Sequence, residues 1–417
     1  MKVTLLNHSD TLGGASVVTY RLMQALLDAG VEVRLLVMTK SGDDDNVTQI
    51  DAPKAHKYAF LMERLNIFLR NGFSKANLFK VSTASHGVSI ANHPLIVDAD
   101  VIALNWINQG MLSLNEIEKI AKMGKHIVWT MHDMWCLTGI CHHALECERY
   151  KQQCGNCQFL NGGKKSNDLS QSVWHRKQAL YQNTNIHFVA VSNWLAQKAR
   201  ESSLLKNANL SVIHNAFPID LYKTTPTALP QEYGIDYNKN LILMGAARLD
   251  DPIKGFDYAI EALNIFAARN PQWAEKSEAI FFGDIRDPQL LTKIRMPYRH
   301  LGRINNPETI RQLYASAKVV ISTSLYETLP GTLIEGQAAG CVPVSFGKGG
   351  QADIIDHKVN GYIADYKSPQ SIADGILWAL EASPNRDMLH DTVRNRFAAP
   401  VIAQKYIDLI KKVVGNA

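Results

Sequence analysis

Short apolar runs alternate with helix-length segments along most of the chain. The apolar runs cover residues 3–6, 33–38, 101–104, 127–129, 188–191 and 212–213 in the first half, and 241–246, 280–282, 319–322 and 342–345 in the second. Regular alternation of strands with helices is typical of α/β proteins with parallel sheets. The pattern therefore predicts an α/β fold with two successive, Rossmann-like series of strands.

Helical periodicity fills many of the segments between the predicted strands. The predicted helices cover residues 16–29, 256–268, 307–317, 332–339 and 371–381, and a last helical stripe consists of Ile402, Tyr406, Leu409 and Val413. A polar, proline-bearing stretch at 223–230 separates the two series and predicts a linker. We therefore expect an N-terminal domain at 1–218, a C-terminal domain at 219–396, and a terminal helix at 397–417 that packs back on the first domain.

Length and composition agree with this arrangement. The chain has 417 residues, of which 46% are hydrophobic and 20% charged, as in soluble proteins with two cores. No apolar run approaches the roughly 20 residues of a membrane helix, and the first residues enter a strand-like segment without the pattern of a signal peptide. We expect a cytoplasmic protein, and the mild net charge of +5 does not favour a nucleic-acid partner. Two sheets of this kind predict a ligand site in a cleft between the domains, at the carboxyl ends of the strands.

One segment, 54–80, is strongly basic and interleaved with apolar residues. Its cations are Lys54, Lys57, Arg64, Arg70, Lys75 and Lys80, against the single acid Glu63. Leu61, Leu65, Phe68 and Leu69 recur at helical spacing, which predicts a basic amphipathic helix able to lie on an anionic membrane, at the inner face of the cytoplasmic membrane. A packed helix with a merely solvated basic face is the alternative.

Two cations follow the first predicted strand of the second domain. Gly245-Ala-Ala-Arg248 runs into Leu-Asp-Asp-Pro-Ile-Lys254 within one loop. A planar guanidinium and an ammonium at a strand end can neutralise a diphosphate. From spacing alone, two solvated surface bases are an equal alternative.

A pair of carboxylates lies further along the chain. Glu327 and Glu335 are eight positions apart, and between them Leu329-Pro330-Gly331-Thr332 predicts a turn into a helix, whose free N–H groups can hold phosphate oxygens. The two acids can bind hydroxyl groups at the two ends of an extended ligand. Without the flanking pattern, two helix-surface acids would be the simpler interpretation.

In this order, these motifs resemble the retaining GT-B glycosyltransferases of family four over essentially the whole chain. The further matching motifs are Gly340-Cys341-Val342-Pro343, Gly349-Gly350, Asn360-Gly361, Val191-Ser192-Asn193 and Trp129-Thr130-Met131-His132-Asp133. The resemblance implies the GT-B fold and transfer of a sugar from a nucleoside-diphosphate sugar to a glycan or lipid-linked acceptor in polysaccharide or cell-surface glycan synthesis.

The resemblance also implies roles for individual residues. Arg248 and Lys254 would bind the donor diphosphate, with backbone amides near Leu329 to Thr332 helping. Glu335 would bind the ribose and Glu327 the donor sugar. The loop at 301–304, with Arg303 and Ile304, would grip the nucleobase through backbone groups. In the first domain, Gly13 and Gly14 would let the backbone approach the donor, and His132 would lie beside the donor sugar. The family is usually independent of divalent metal, so no catalytic metal is expected. Its members retain the anomeric configuration of the transferred sugar, and this outcome is usually explained by front-face displacement.

Four of the six cysteines fall in an insert at 136–165. Cys141, Cys147, Cys154 and Cys157 predict a structural zinc site, with His142 and His143 as spare ligands, while disulfides and free thiols remain alternatives. Cysteines after a Trp-x-x-His-Asp-Met-Trp run resemble a polysaccharide-synthesis subgroup of the family. The insert is expected to act as a lid on the acceptor side. Cys136 and Cys341 are expected in the core.

Other functions fit the sequence less well. A GT-B phosphorylase would need a cofactor lysine, and a sugar-nucleotide epimerase would need paired catalytic carboxylates in another pattern. A catalytically inert nucleotide-sugar-binding scaffold would be expected to lack Glu327, Lys254 or His132, and the chain has all three.

Overall fold

The computed structural model describes residues 1–161, 167–223, 225–226, 229 and 233–415. Residues 162–165 of the predicted insert, 224, 227–228 and 230 of the predicted linker, and 416–417 of the predicted terminal helix lie outside the described residues. The described chain divides into two compact units. The first contains Met1–Ala216 and the C-terminal helix, and the second contains Phe217–Ala398.

All strands of the described chain are short, and every pairing between them is parallel. The strands of the first unit are β1 Lys2–Ser9, β2 Glu32–Thr39, β3 Val47–Gln49, β4 Val101–Leu104, β5 His126–Met131, β6 Ile186–Ala190 and β7 Asn209–Val212, and those of the second are β8 Asn240–Arg248, β9 Ser277–Asp284, β10 Tyr298–His300, β11 Val319–Ser322, β12 Val342–Phe346 and β13 Tyr362–Ala364. The first sheet has the order β3-β2-β1-β4-β5-β6-β7, and the second β10-β9-β8-β11-β12-β13. The predicted α/β class with two Rossmann-like parallel sheets is confirmed.

Helices connect the strands. They are α1 Gly14–Asp28, α2 Pro53–Arg70, α3 Pro94–Val97, α4 Leu114–Lys122, α5 Leu169–Gln182, α6 Asn193–Glu201, α7 Phe256–Arg269, α8 Pro271–Glu275, α9 Pro307–Ser316, α10 Gly331–Ala338, α11 Pro369–Ala382, α12 Arg386–Phe397 and α13 Ala399–Gly415. Among the helices so described, none is both long and apolar enough to cross a membrane.

The core of the first unit lies between the sheet and the helices α1 and α13. The inward side chains of β1, β2 and β4 pack with Ile402, Tyr406 and Leu409 of α13. The fourth residue of the predicted stripe, Val413, is partly buried against the same core. The hydroxyl group of Tyr406 lies 2.9 Å from that of Thr130 at β5, so this buried polar group is satisfied. Burial of one apolar face is what holds a helix of this kind to the sheet.

The core of the second unit is built in the same way from β8, β9, β11 and β12 with α7 and α11. Phe266 and Phe281 are completely buried there, and Phe281 makes an edge-to-face contact with Phe256, with ring centroids 5.3 Å apart. Strands covered on both faces need continuous apolar sequences, which is why the apolar runs located most of them. The sequence did not indicate β3, β10 and β13, because each has only three residues at or near a sheet edge.

Candidate functional site

Most of the predicted donor residues lie at the carboxyl edge of the second sheet. Arg248 is the last residue of β8, Lys254 ends the 3-10 turn that follows it, and Glu327 follows β11, the strand beside β8. Helix α10 begins in the same loop as Glu327. Because parallel strands end at one edge, residues far apart in the sequence meet there.

Arg248 is held by two acidic neighbours that the sequence analysis did not consider. Its Nη2 atom donates to the Asp251 carboxylate at 2.8 Å, and its Nε atom lies 3.4 Å from Asp250. Asp250 also accepts from the amides of Arg286 and Asp287 after β9. The signal that could have revealed them is the Asp-Asp-Pro run itself, because carboxylates beside an arginine orient its guanidinium.

Lys254 and Glu327 form the central ion pair of this edge. The Nζ atom lies 2.5 Å from Oε1, and the two side chains are 30% and 19% exposed. Gly255, with a left-handed φ of 63°, follows the lysine, and a Cβ there would overlap with the Thr323 carbonyl oxygen. The Thr323 hydroxyl donates to the carbonyl oxygens of Lys254 and Gly255, so the loops after β8 and β11 are joined.

The start of α10 has no side-chain cap. Pro330 occupies the N-cap position and provides no side-chain hydrogen bond to the first turn. Gly331 and Thr332 at this end are half-buried. Backbone N–H groups at a helix N-terminus carry partial positive charge and can bind phosphate oxygens. Helix α10 therefore begins where the sequence predicts a turn into a helix, and phosphate binding by the segment from Leu329 to Thr332 stays a prediction.

The other two predicted donor contacts flank this centre. Glu335 is half-buried one turn inside α10. The loop with Arg303 and Ile304 follows β10 at the same edge, where Arg303 is exposed, with Nη1 3.6 Å from Asp284 at the end of β9. The amide of Gly283 donates to the carbonyl oxygen of Gly302 and ties this loop to the sheet.

In the first unit, Gly13 and Gly14 lie where β1 passes into α1. Gly13 has a φ of 92° and is the N-cap of the helix, and a Cβ on either glycine would meet no heavy atom within 4 Å. The backbone is therefore accessible at this helix N-terminus. Neighbouring Asp10 accepts from the amides of Ser41 and Gly42, which fixes the loop after β2 against it.

His132 follows β5 at the carboxyl edge of the first sheet. Its Nε2 atom lies 3.0 Å from the Oδ1 atom of Asn105, which follows β4. Burial lowers the pKa of His132 to about 4, although nearby Asp133 opposes this. The imidazole is thus neutral at neutral pH. Because an amide oxygen only accepts, Nε2 carries the proton and Nδ1 is the acceptor.

Asp133 belongs to a network that the sequence analysis missed. Its Oδ2 atom accepts from His142 Nδ1 at 2.7 Å and from Trp106 Nε1 at 3.2 Å, and Oδ1 accepts from the Trp135 amide. Burial would raise the pKa of Asp133, but His142 and these hydrogen bonds lower it to about 2. The carboxylate therefore organises the loop around His132.

The four clustered cysteines line one small cavity of about 20 Å³. The Gly139 amide donates to Cys154 Sγ at 3.1 Å. All six cysteines are free thiols, so the disulfide alternative is not observed, and Cys136 and Cys341 are buried as expected. Among the described residues, however, no three His, Cys, Asp or Glu side chains are arranged to hold a metal ion. Zinc binding by Cys141, Cys147, Cys154 and Cys157 stays a prediction.

The basic segment forms α2 and the turn after it, with one correction. Arg64 does not belong to the exposed basic face, because it is buried and forms a 2.8 Å ion pair with Glu63. Glu63 also accepts from the amides of Thr83 and Ala84, so the pair secures α2 to the chain before Gly87. The other five cations are exposed.

Comparison with known proteins agrees with the geometry. A model of Glycosyltransferase Family 4 matches residues 12–221, and a model of Glycosyl transferases group 1 matches residues 227–396. An uncharacterised glycosyltransferase of Methanocaldococcus jannaschii is 28% identical over 294 residues, covering 65% of this chain and 71% of that protein. WcaC of Escherichia coli, named as a colanic acid biosynthesis glycosyl transferase, is 27% identical over 157 residues, or 36% of this chain and 37% of its own.

A solved structure shows the same fold over the full length. HepE of Anabaena, crystallised with UDP and glucose, is 18% identical, with a TM-score of 0.63, and the match covers 99% of this chain and 100% of that one. This likeness concerns the fold. The family 4 model by itself spans half of the 417 residues. The chain therefore belongs to glycosyltransferase family 4 and is a transferase of the GT-B type.

Proposed function

We propose that the carboxyl edge of the second sheet binds the diphosphate of a nucleoside-diphosphate sugar. The observation that carries this proposal is the meeting of Arg248, Lys254 and the uncapped start of α10 at one edge. When the glycosidic bond breaks, negative charge develops on the departing diphosphate, and positioned cations and N–H groups stabilise it. The two protein cations would do the work that a divalent metal does elsewhere.

The remaining donor contacts are proposed from the resemblance of the motifs. Glu327, beside Lys254, would bind hydroxyl groups of the donor sugar, and Glu335, one turn inside α10, those of the ribose. The loop of Arg303 and Ile304 would hold the nucleobase through backbone groups. In the first unit, the accessible backbone at Gly13 and Gly14 and the neutral imidazole of His132 would contact the sugar. A neutral His132 can donate or accept a hydrogen bond without placing a charge beside the anomeric carbon.

Thermal unfolding with nucleotides tests the donor site. At a ligand concentration about 100 times Kd, the native state gains about 2.7 kcal/mol, which raises Tm by several degrees. We expect a rise with one nucleoside diphosphate and its sugars, UDP being the first to try because HepE was crystallised with it. The rise should vanish in Arg248→Ala and Lys254→Ala. Arg269→Ala is the matched control, because its guanidinium pairs with Asp374 on α11, away from these loops.

A Tm rise without any turnover of the donor would favour the inert nucleotide-sugar-binding scaffold. Absence of a rise with every nucleoside diphosphate would contradict the donor site itself. Conversion of the donor sugar into an epimer, with the nucleotide still attached, would favour the epimerase. Net release of free nucleoside diphosphate distinguishes transfer or hydrolysis from epimerisation, because the product of epimerisation keeps the nucleotide attached to the sugar.

We further propose that transfer retains the anomeric configuration and serves polysaccharide or cell-surface glycan synthesis. Support comes from the resemblance of the motifs and from WcaC, whose name refers to colanic acid biosynthesis. The stereochemistry can be measured without knowing the acceptor, because many transferases slowly hydrolyse their donor. Proton NMR in the first minutes should show the α-sugar released from an α-linked donor. Initial release of the β-anomer would contradict retention.

The exposed face of α2 supports a peripheral membrane location. Its large apolar side chains are unusually accessible, at 62% for Tyr58, 53% for Leu61, 45% for Leu65 and 49% for Leu69, and the turn after the helix adds Phe73 at 70% and Phe79 at 66%. Lys54, Lys57, Arg70, Lys75 and Lys80 are exposed around them, and the only acid, Glu63, is buried. We propose that this face, the α2 surface, docks on an anionic bilayer, with apolar side chains at the acyl boundary and cations at the headgroups.

Sedimentation with vesicles tests the α2 surface. The protein should bind vesicles with 30 mol% phosphatidylglycerol more than pure phosphatidylcholine vesicles, and high salt should weaken binding, since screening shortens the Debye length from about 10 Å at 0.1 M to 3 Å at 1 M. The variant Leu61→Ser/Leu65→Ser should lose most of the binding. Leu221→Ser, which changes a leucine that is 55% exposed in the second unit, is the matched control. Equal binding by all three proteins would contradict this surface.

A further inference from the structure

A cavity lined by both apolar and polar side chains opens at the carboxyl edge of the first sheet, beside the start of α2. Its volume is about 460 Å³, and its walls are the ends of β2 and β3 and the first turn of α2, with Thr39, Gln49, Asp51 and His56 as polar lining residues. Ligand sites of proteins measure about 300–1,000 Å³ and occur at this edge of open α/β sheets. The cavity therefore has the size and the position of a small-molecule site.

The polar groups of the cavity are suited to hydroxyl groups. Asp51 is exposed, and its carboxylate has no hydrogen bond or ion pair within the described chain. Gln49 donates its Nε2 atom to the Met38 carbonyl oxygen at 3.1 Å, which positions the side-chain amide at the strand ends. A carboxylate, an amide oxygen and a threonine hydroxyl accept hydrogen bonds, and a ligand rich in O–H donors satisfies all three.

His56 connects the cavity with the rings of His8 and Trp106 at the same edge. Its Nε2 atom lies 3.1 Å from the Gln109 carbonyl oxygen, which only accepts, so Nε2 donates this hydrogen bond. The ring contacts His8 with centroids 5.3 Å apart, and His8 contacts Trp106 at 5.8 Å. Trp106 in turn donates to Asp133, the neighbour of His132. A continuous series of rings thus runs along the sheet edge from the cavity towards His132.

We infer that this cavity, which we call the His56 cavity, binds a saccharide unit of the acceptor. The inference rests on the proposed function, because it supplies the second substrate of the transferase. It also relates the acceptor to the membrane. One helix, α2, contributes Pro53 and His56 to the cavity wall and continues directly into the apolar and basic α2 surface. The sugar end of a lipid-linked acceptor in the cavity would keep its lipid near the bilayer on which α2 rests.

Saturation-transfer NMR with simple glycosides tests the His56 cavity. The probes are methyl glycosides of glucose, galactose, mannose and N-acetylglucosamine at millimolar concentration, with the full-length protein in the presence of UDP. We expect a saturation-transfer signal for at least one glycoside. The intensity of this signal should fall at least about fivefold in Asp51→Asn and in Thr39→Val. Asp43→Asn is the matched control, because Asp43 is an exposed acid of the preceding loop that does not line the cavity.

The outcomes separate the two proposals. Loss of the glycoside signal in Asp51→Asn and Thr39→Val, with the signal kept in Asp43→Asn, supports the His56 cavity. If no glycoside gives a saturation-transfer signal, or if the signal is equal in wild type and in all variants, the inference is overturned. The rise of Tm with nucleoside diphosphates is measured on the same samples, so a failed cavity with an intact nucleotide effect leaves the donor site standing. Loss of the nucleotide effect in wild type would contradict the proposed function instead.

Discussion

The Nζ atom of Lys254 lies 2.5 Å from the Oε1 atom of Glu327, although 73 residues separate them in the chain. The pair joins the loop after β8 to the loop after β11 at the edge where we place the donor diphosphate. In the proposed donor site, a bound diphosphate would share Lys254 with the Glu327 carboxylate. The binding of the nucleotide and the binding of the donor sugar would then both depend on this ion pair.

Glu327→Gln should separate the binding of the nucleotide from turnover. Removal of the carboxylate charge frees Lys254 for the diphosphate and reduces repulsion, so the Kd of the nucleoside diphosphate should fall several-fold. Turnover of the donor sugar should fall by about 10²–10³-fold, the cost of removing one transition-state contact. Calorimetric titration and a nucleotide-release assay measure the two quantities. Weaker nucleotide binding in the variant would show that Glu327 supports the diphosphate instead of competing with it.

Gly255→Ala should disturb the position of Lys254. The added Cβ would overlap with the Thr323 carbonyl oxygen, and the left-handed φ adds about 1–2 kcal/mol of strain. We expect a lower Tm and a loss of the nucleotide-induced Tm rise. Gly30→Ala is the control, because Gly30 has a φ of 79° but no heavy atom within 4 Å of an added Cβ, so only the strain remains. Equal effects of both variants would show that the contact with Thr323 is unimportant.

His132 should remain neutral through the pH range in which an ordinary histidine titrates. Its pKa in the folded protein is about 4, below the usual 6.5. Between these values the unfolded chain binds more protons, so acidification from pH 6.5 to 4 removes stability. NMR titration of the imidazole Cε1 proton, assigned by its absence in His132→Gln, should give a pKa below 5. A titration near 6.5 would contradict the buried environment of this ring.

Lys177 on α5 should make the protein more stable as the pH rises from 7 to 8.5. The side chain is completely buried, with Nζ 3.0 Å from the Thr138 carbonyl oxygen and 3.4 Å from the ring centre of Trp135. Burial lowers its pKa to about 7, against the charges of nearby cysteines and Asp133, so the unfolded chain binds the extra proton in this range. The slope is at most about 1.4 kcal/mol per pH unit.

Urea unfolding at pH 7.0, 7.75 and 8.5 measures the slope for wild type and for Lys177→Met. The methionine removes the titrating group, so its curve should be flatter than that of wild type. Thiols of the unfolded chain titrate at about pH 8.5 in both proteins, so the difference between the two curves, and not either curve alone, reports on Lys177. Parallel curves for the two proteins would mean that Lys177 stays protonated in the folded state.

Cys154 and Cys157 should react slowly with thiol reagents in the native protein. Burial raises the pKa of Cys154 to about 11 and that of Cys157 to about 12, which leaves little thiolate at pH 7.5. Labelling with a chromogenic disulfide should be slow until denaturant is added. Rapid labelling of either thiol would contradict the buried cavity.

Metal analysis of the same preparation tests the predicted zinc site. One zinc ion per chain, lost in Cys154→Ser and kept in Cys136→Ser, would support the prediction. Cys136 is a suitable control because it is buried near the cluster but does not line the cavity. If the purified protein contains no zinc and both variants have the Tm of wild type, the predicted zinc site is contradicted.

The sequence by itself determined the α/β class and the order of the chemical motifs. Strands buried on both faces require continuous apolar runs, so β1, β4, β8 and β11 were readable without any tertiary information. The turn into α10 was also predictable from the sequence, because the geometry of a local motif depends on neighbouring residues in the chain. The resemblance of these motifs then led to the transferase family.

Only the tertiary structure decided which of these groups meet. The Lys254–Glu327 pair and the hydrogen bonds around Asp133 join residues from different parts of the chain. The burial of Arg64 with Glu63 depends on which face of α2 packs against the rest of the protein. The His56 cavity likewise arises where two strand ends and the first turn of α2 come together. Long-range packing sets such distances and burials, and a pattern along one chain does not contain them.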